Sequence, residues 1–91
     1  MNRRIKIIIH GKVQHVSFRS EARFQAKNFG LKGWIRNNPT GTVEVIAEGD
    51  EEKIKEFLRW CARGTLNSVV EKVEHEWHPY IGEFLQFQTV N

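Results

Sequence analysis

At 91 residues, with 40% apolar and 27% charged side chains, the chain suits one domain around a modest core, and this composition excludes a disordered tail. No apolar stretch approaches the roughly 20 residues of a membrane helix, and the single cysteine, Cys61, excludes an internal disulfide framework and a multi-cysteine zinc site. The net charge of +3 hides an asymmetry: residues 1–36 hold nine Lys or Arg against Glu21 alone, and residues 37–91 hold five against ten acidic residues.

A basic first part suits a small anion or a nucleic acid, but a solvated basic face is the plainest reading. The opening "MNRRIKIIIH" sets basic residues before apolar ones, yet its apolar run is short, is interrupted by Lys6 and lacks a small-residue cleavage site. It is therefore not read as a signal peptide. A cytoplasmic location is the default expectation, and a single domain over residues 1–91 follows from the lack of any linker, repeat or low-complexity run.

From Arg4 to His10, Ile5, Ile7 and Ile9 alternate with Arg4, Lys6 and Ile8, which is strand spacing. From Ser17 the period changes: Phe18, Ala22, Ala26 and Phe29 recur at helical intervals, with Ser17 as N-cap and Gly30 as the stop. "LKGWIRN" (Leu31 to Asn37) reads as a second strand. "NPTG" (Asn38 to Gly41) has the proline and glycine a type I turn prefers, and "TVEVIAE" alternates again, so residues 31–48 form a hairpin.

Asp50 is placed to cap a second helix, with Glu51 and Glu52 in its first turn, Arg59 and Arg63 near its last, and Gly64 beyond. Ile54, Phe57, Leu58 and Cys61 form its apolar face, which makes Cys61 a core residue. "VVEKVEHEW" (Val69 to Trp77) alternates once more, and "FLQFQTV" (Phe84 to Val90) is a short terminal strand. The order βαββαβ plus a short strand is the split βαβ, or ferredoxin-like, α+β arrangement: one sheet with two helices on one face.

Two polar segments stand out. In "GKVQHVSFR" (Gly11 to Arg19) a strand passes through glycine into a helix N-terminus. Backbone N–H groups converge at such a place and the helix dipole favours negative charge. Arg19 in the first turn can return its planar donors over the same spot. The segment is no P-loop and holds no G-x-G-x-x-G, so an anion cradle and a plain loop with an exposed arginine both remain open. In "WIRNN", Asn37 ends a strand; its amide can serve a water and a phosphate oxygen, or simply the turn. Trp34, Trp60 and Trp77 read as packing or sheet-face aromatics, and His10, His75 and His78 as surface residues.

Taken together, "G-K-V-Q-x-V-S-F-R" and "G-W-I-R-N-N-P-T-G-T-V-E" resemble the acylphosphatase family. The likeness extends over nearly the whole chain, through "EGDEEKIKEFLRW" and the closing "VEKVEHEW…GEF…F", where it is a matter of pattern only. The resemblance implies a ferredoxin-like enzyme that hydrolyses acyl phosphates to a carboxylate and inorganic phosphate. It implies no metal and no cofactor, and a small-molecule acyl phosphate as partner; no nucleic acid and no membrane are expected as partners, and a monomer is expected, with dimerisation through the exposed hairpin and terminal strand edges left open. By motif, the catalytic residues are Arg19 and Asn37, and the phosphate-binding loop is Gln14, His15, Val16, Ser17, Phe18 and Arg19.

The sequence departs from the family at two places. The family's loop reads G-x-V-Q-G-V, and His15 stands where its second glycine would be. If that position needs φ > 0, histidine carries strain there. Three readings stay open: an outward-pointing, tolerated side chain, a partial obstruction of the site, or an added pH-dependent donor. The other departure is "RGTLNSVV" (Arg63 to Val70), where the family often has Gly-Pro; this alters loop stiffness rather than chemistry.

Two rival readings remain. An RNA-recognition module shares the βαββαβ order, but "TVEVIAE" carries two glutamates and no aromatic where the RNP1 pattern belongs. A catalytically impaired descendant, binding phosphate or a protein partner, draws its support from His15 and is opposed by Arg19 and Asn37.

Overall fold

The computed structural model describes residues 1–90; Asn91, the last residue of the expected domain, lies outside the described residues. In chain order the elements are β1 (Asn2–Lys12), α1 (Phe18–Asn28), β2 (Lys32–Asn37), β3 (Val43–Asp50), α2 (Glu51–Arg63), β4 (Val69–His78) and β5 (Phe87–Thr89). The strands form one sheet in the order β4-β1-β3-β2-β5. All neighbours are antiparallel except β2 and β5, which run parallel. Helix α1 packs against β2 and β5, and α2 against β1, β3 and β4. This is the ferredoxin-like α+β arrangement that the periodicities imply.

The period of two places Ile5, Ile7 and Ile9 on the helix side, where Ile5 faces Ala47 and Ile7 faces Val45 on β3. All five are fully buried. Strand β1 is longer than Arg4–His10 at both ends, and its register against β4 shifts between His10 and Gly11. Gly11 therefore lies within a bulged strand rather than opening the loop. A Cβ there would lie 2.0 Å from the Val69 carbonyl oxygen, and φ is 129°, so glycine is required for β4 to approach this closely.

Helix α1 buries Phe18, Ala22 and Ala26. It stops as expected at Gly30 (φ 74°): the Gly30 N–H donates to Lys27 O and the Leu31 N–H to Ala26 O. Its start differs from expectation. Ser17 occupies the N-cap position, but in a left-handed conformation and with no capping bond from its side chain. Helix α2 is capped as expected, with Asp50 Oδ2 accepting from the Glu52 and Lys53 N–H groups at 3.1 and 3.4 Å. Its buried face is Ile54, Phe57, Trp60 and Cys61; Leu58, expected in that face, is only partly buried.

Phe57 joins the layers: its ring lies 6.2 Å from both Trp60 and Phe87, and Trp60 lies 5.5 Å from Phe18. Phe87 thereby fastens the terminal strand to the core. That strand is Phe87–Thr89, shorter than the Phe84–Val90 expected, although the Gly33 N–H donates to Gln86 O (3.0 Å) and the Val90 N–H to Ile35 O (2.9 Å) on either side of it.

The segment leading into β5 is held by Glu48, which alternation alone would leave facing solvent. It is the one buried charged residue among those described, at 3% exposure. Its carboxylate accepts from the N–H groups of Ile81 (2.8 Å) and Gly82 (3.1 Å) and pairs with Arg4 (3.3 Å), which also reaches Glu83 at 2.6 Å.

The candidate active site

The start of α1, the end of β2 and the end of β5 meet at one end of the sheet, because β2 lies between β3 and β5 and α1 packs across β2 and β5. Val13 and Phe18, each 1% exposed, anchor the β1–α1 loop to the core at its two ends. Val16 packs against the same core, while His15 and Ser17 are exposed. Phe18, predicted in the phosphate loop, therefore has only its backbone available for contact with a ligand.

His15 (φ 62°) and Ser17 (φ 63°, ψ 14°) are left-handed, with Val16 between them at negative φ. They are the only non-glycine residues so placed among those described. Each such conformation costs about 1–2 kcal/mol. The alternation is that of a nest, in which successive N–H groups turn toward one concavity. Among the described residues, no N–H from His15 to Arg19 finds a backbone acceptor, and the N-terminus of α1 adds its dipole at the same place. The strained loop also accounts for Ser17: a left-handed N-cap turns away from the usual capping geometry, which is extended.

The Gln14 side chain turns to the neighbouring hairpin. Its Nε2 donates to the carbonyls of Asn38 and Thr42, both at 2.9 Å, tying the loop to the β2–β3 turn. That turn is closed by Gly41 N–H to Asn38 O (3.1 Å), as its sequence implies, and by Asn38 N–H to Thr42 O (2.8 Å). The loop and the residue following Asn37 are thus one hydrogen-bonded unit.

A cavity of about 250 Å³ opens between these elements, with His15, Ser17, Arg19, Asn37 and Thr89 in its lining. Gln14 and Val16 do not line it. Arg19 is partly buried, and its Nη1 donates to the Val90 carbonyl at 3.4 Å. Asn37 ends β2, and its Oδ1 is buried with no hydrogen-bond partner among the described residues.

Arg19 is the one charged residue in the lining among those described, and it brings a positive charge to the cavity. Arg23 and Arg36 are engaged elsewhere, with Phe87 O at 3.2 Å and Glu44 at 3.0 Å. Cys61 is buried in the core, where desolvation pushes its thiol far above the ordinary range and leaves it no nucleophile. Among the described residues, no three His, Cys, Asp or Glu side chains converge as a metal site would need.

The motifs pointed to Arg19 and Asn37, which do face one cavity. They did not point to Thr89 or to the Val90 carbonyl. Both arrive through the parallel pairing of Ile35 with Thr89, a contact between distant parts of the chain that no local pattern announces.

Fold and cavity together define a small ferredoxin-like protein with an arginine-lined cavity where a helix begins. Comparison with known proteins narrows the class. The acylphosphatase family model matches residues 5–89. An acylphosphatase of Pelotomaculum thermopropionicum is 47% identical over 93% of this chain and 92% of its own. Among solved structures, an acylphosphatase from Bacillus subtilis superimposes over the whole of both chains with a TM-score of 0.94 at 30% identity. One from Coxiella burnetii does so over 98% of this chain and 93% of its own, with a TM-score of 0.92 at 29% identity. The chain belongs to the acylphosphatase family, hydrolases that act on acyl phosphates. No helix among the described residues is long and apolar enough to cross a membrane.

Proposed function

We propose that hydrolysis proceeds by in-line attack of a water on the phosphorus of an acyl phosphate. The N–H groups from Gln14 to Phe18 and the Arg19 guanidinium hold the phosphoryl oxygens, and Asn37 orients the water. The observation that carries this reading is the loop itself: two non-glycine residues held left-handed beside free N–H groups and a guanidinium. Strain of this kind persists where surrounding packing over-determines it, and Val13, Phe18 and the Gln14 bonds supply that constraint here.

The chemistry suits such a site. Water oxygen bonds to phosphorus, the bond from phosphorus to the acyl oxygen breaks, and the carboxylate leaves with the electron pair. Water's proton is shared between inorganic phosphate and solvent. A carboxylate leaves readily, so catalysis rests on position and on stabilising charge at the equatorial oxygens. Preformed donors do this without reorganisation. The buried Asn37 Oδ1 is an acceptor that no protein group serves among the described residues, which suits a bound water.

The test is release of inorganic phosphate from an aryl acyl phosphate, with a chelator present, by wild type, Arg19→Ala and Asn37→Ala. Loss of one such donor lowers turnover by about 10²–10³-fold, and loss of a transition-state arginine by about 10³–10⁵-fold. Either folded variant retaining more than about a tenth of wild-type turnover would remove that residue from the mechanism. A folded wild type no faster than spontaneous hydrolysis would sink the scheme altogether.

A further inference from the structure

His15 is the residue by which this loop differs from a bare backbone cradle. It is left-handed, belongs to the cavity lining and carries an exposed side chain, where glycine would carry none. Arg19 is engaged with Val90 and Gln14 with the β2–β3 turn, but the His15 imidazole has no partner among the described residues. We propose that His15, when protonated, is a second cationic arm of the anion site and makes its affinity for phosphate-like dianions depend on pH. This rests on the reading of the loop as an anion cradle and adds to it a group that the motif does not require.

The surrounding charges leave that role open to His15. From α1, Arg19 shares the lining, while Glu21, further along the first turn, is exposed and lies outside it. From the β2–β3 hairpin the lining residue is Asn37, which is neutral, and the neighbouring Arg36 is already paired with Glu44. From β5 comes Thr89, also neutral, and on β1 Lys12 is exposed and outside the lining. Among the described residues no carboxylate lines the cavity to neutralise an imidazolium, and a bound anion would supply that countercharge.

Imidazole is the side chain whose charge changes between about pH 5 and pH 8. An exposed charge beside a dianion contributes modestly, and the expected gain in affinity on protonation is about threefold to tenfold.

Sulfate is the probe, because its own charge stays fixed over this interval. Its binding is measured by calorimetry at constant ionic strength, near about pH 5.5 and about pH 8. Wild type should bind about threefold to tenfold more tightly at the lower pH. His15→Gly and His15→Gln should bind with little dependence on pH. His15→Lys should bind as tightly at both values as wild type does at the lower. A His15→Gly or His15→Gln protein that keeps the wild-type pH dependence overturns the proposal. So does a His15→Lys protein that binds no more tightly than His15→Gly at the higher pH. Arg19→Ala separates the underlying reading: its loss of sulfate at both pH values supports the cradle whatever His15 does. Wild type binding no sulfate at either pH would refute the cradle and the proposal together.

Discussion

Glu48→Ala tests how the terminal strand reaches the active site. The carboxylate it removes is 3% exposed, accepts two backbone N–H groups at 2.8 and 3.1 Å, and pairs with Arg4 at 3.3 Å. Hydrogen bonds to a charged group are worth about 1.5–3 kcal/mol each. Ile81 and Gly82 are exposed, so their freed N–H groups recover part of that in water, and Arg4 keeps Glu83 at 2.6 Å. The net loss is then about 2–4 kcal/mol, against about 1–2 for Glu48→Gln, which keeps one acceptor. For a domain of this size, about 2–4 kcal/mol lowers Tm by about 10–25 °C.

The assay is urea unfolding followed by tryptophan fluorescence, with Arg4→Ala and the double variant completing a cycle. Activity should also fall, because the segment Glu48 holds leads into β5, whose end supplies the Val90 carbonyl to Arg19. A loss below about 0.5 kcal/mol for Glu48→Ala would refute the reasoning, as would equal losses for Ala and Gln.

Gln14→Leu removes both bonds between the loop and the β2–β3 turn while keeping the side chain's bulk. It should cost about 1–3 kcal/mol in unfolding free energy. It should also lower kcat about tenfold with a smaller change in KM, since a loop shifted relative to Asn37 misaligns the water; unchanged kcat would show that the tie is only structural. On the acid side, Asp50 is held below its ordinary value chiefly by the hydrogen bond from the N-terminal ammonium. Glu51 is lowered chiefly by Lys55, and Glu74 chiefly by the hydrogen bond from His10. For these carboxylates the folded pKa lies below the unfolded one. Their stabilisation is therefore fully present above the unfolded value of about 4 and is lost as pH falls through the lower folded values. Thermal melts should show Tm declining on that acid limb, and less steeply for Asp50→Asn; an identical decline would contradict the assignment.

Much of the architecture was legible in the chain because it is set locally. The isoleucines of β1 announce a strand by period two, and Asp50 and Gly30 announce helix ends through bonds to residues two or three positions away. Arg19 and Asn37 were legible as a pair only through the two motifs, since neither a lone arginine after a loop nor a strand-end asparagine specifies a site. Ser17 was rightly placed as the N-cap residue but makes no capping bond with its side chain, because its backbone is left-handed.

By itself, then, the sequence determined the succession of strands and helices, the face of each that turns inward, and the family to which the chain belongs. Tertiary structure decided that Glu48 is buried, that Gly11 serves a bulge against β4, and that the Gln14 side chain ties the loop to the β2–β3 turn. It also decided that Thr89 and Val90 complete the surroundings of Arg19. The division follows from range. Periodicity and capping act over a few residues, whereas each of these placements depends on two distant backbones coming within hydrogen-bonding or contact distance, and only the folded sheet brings them there.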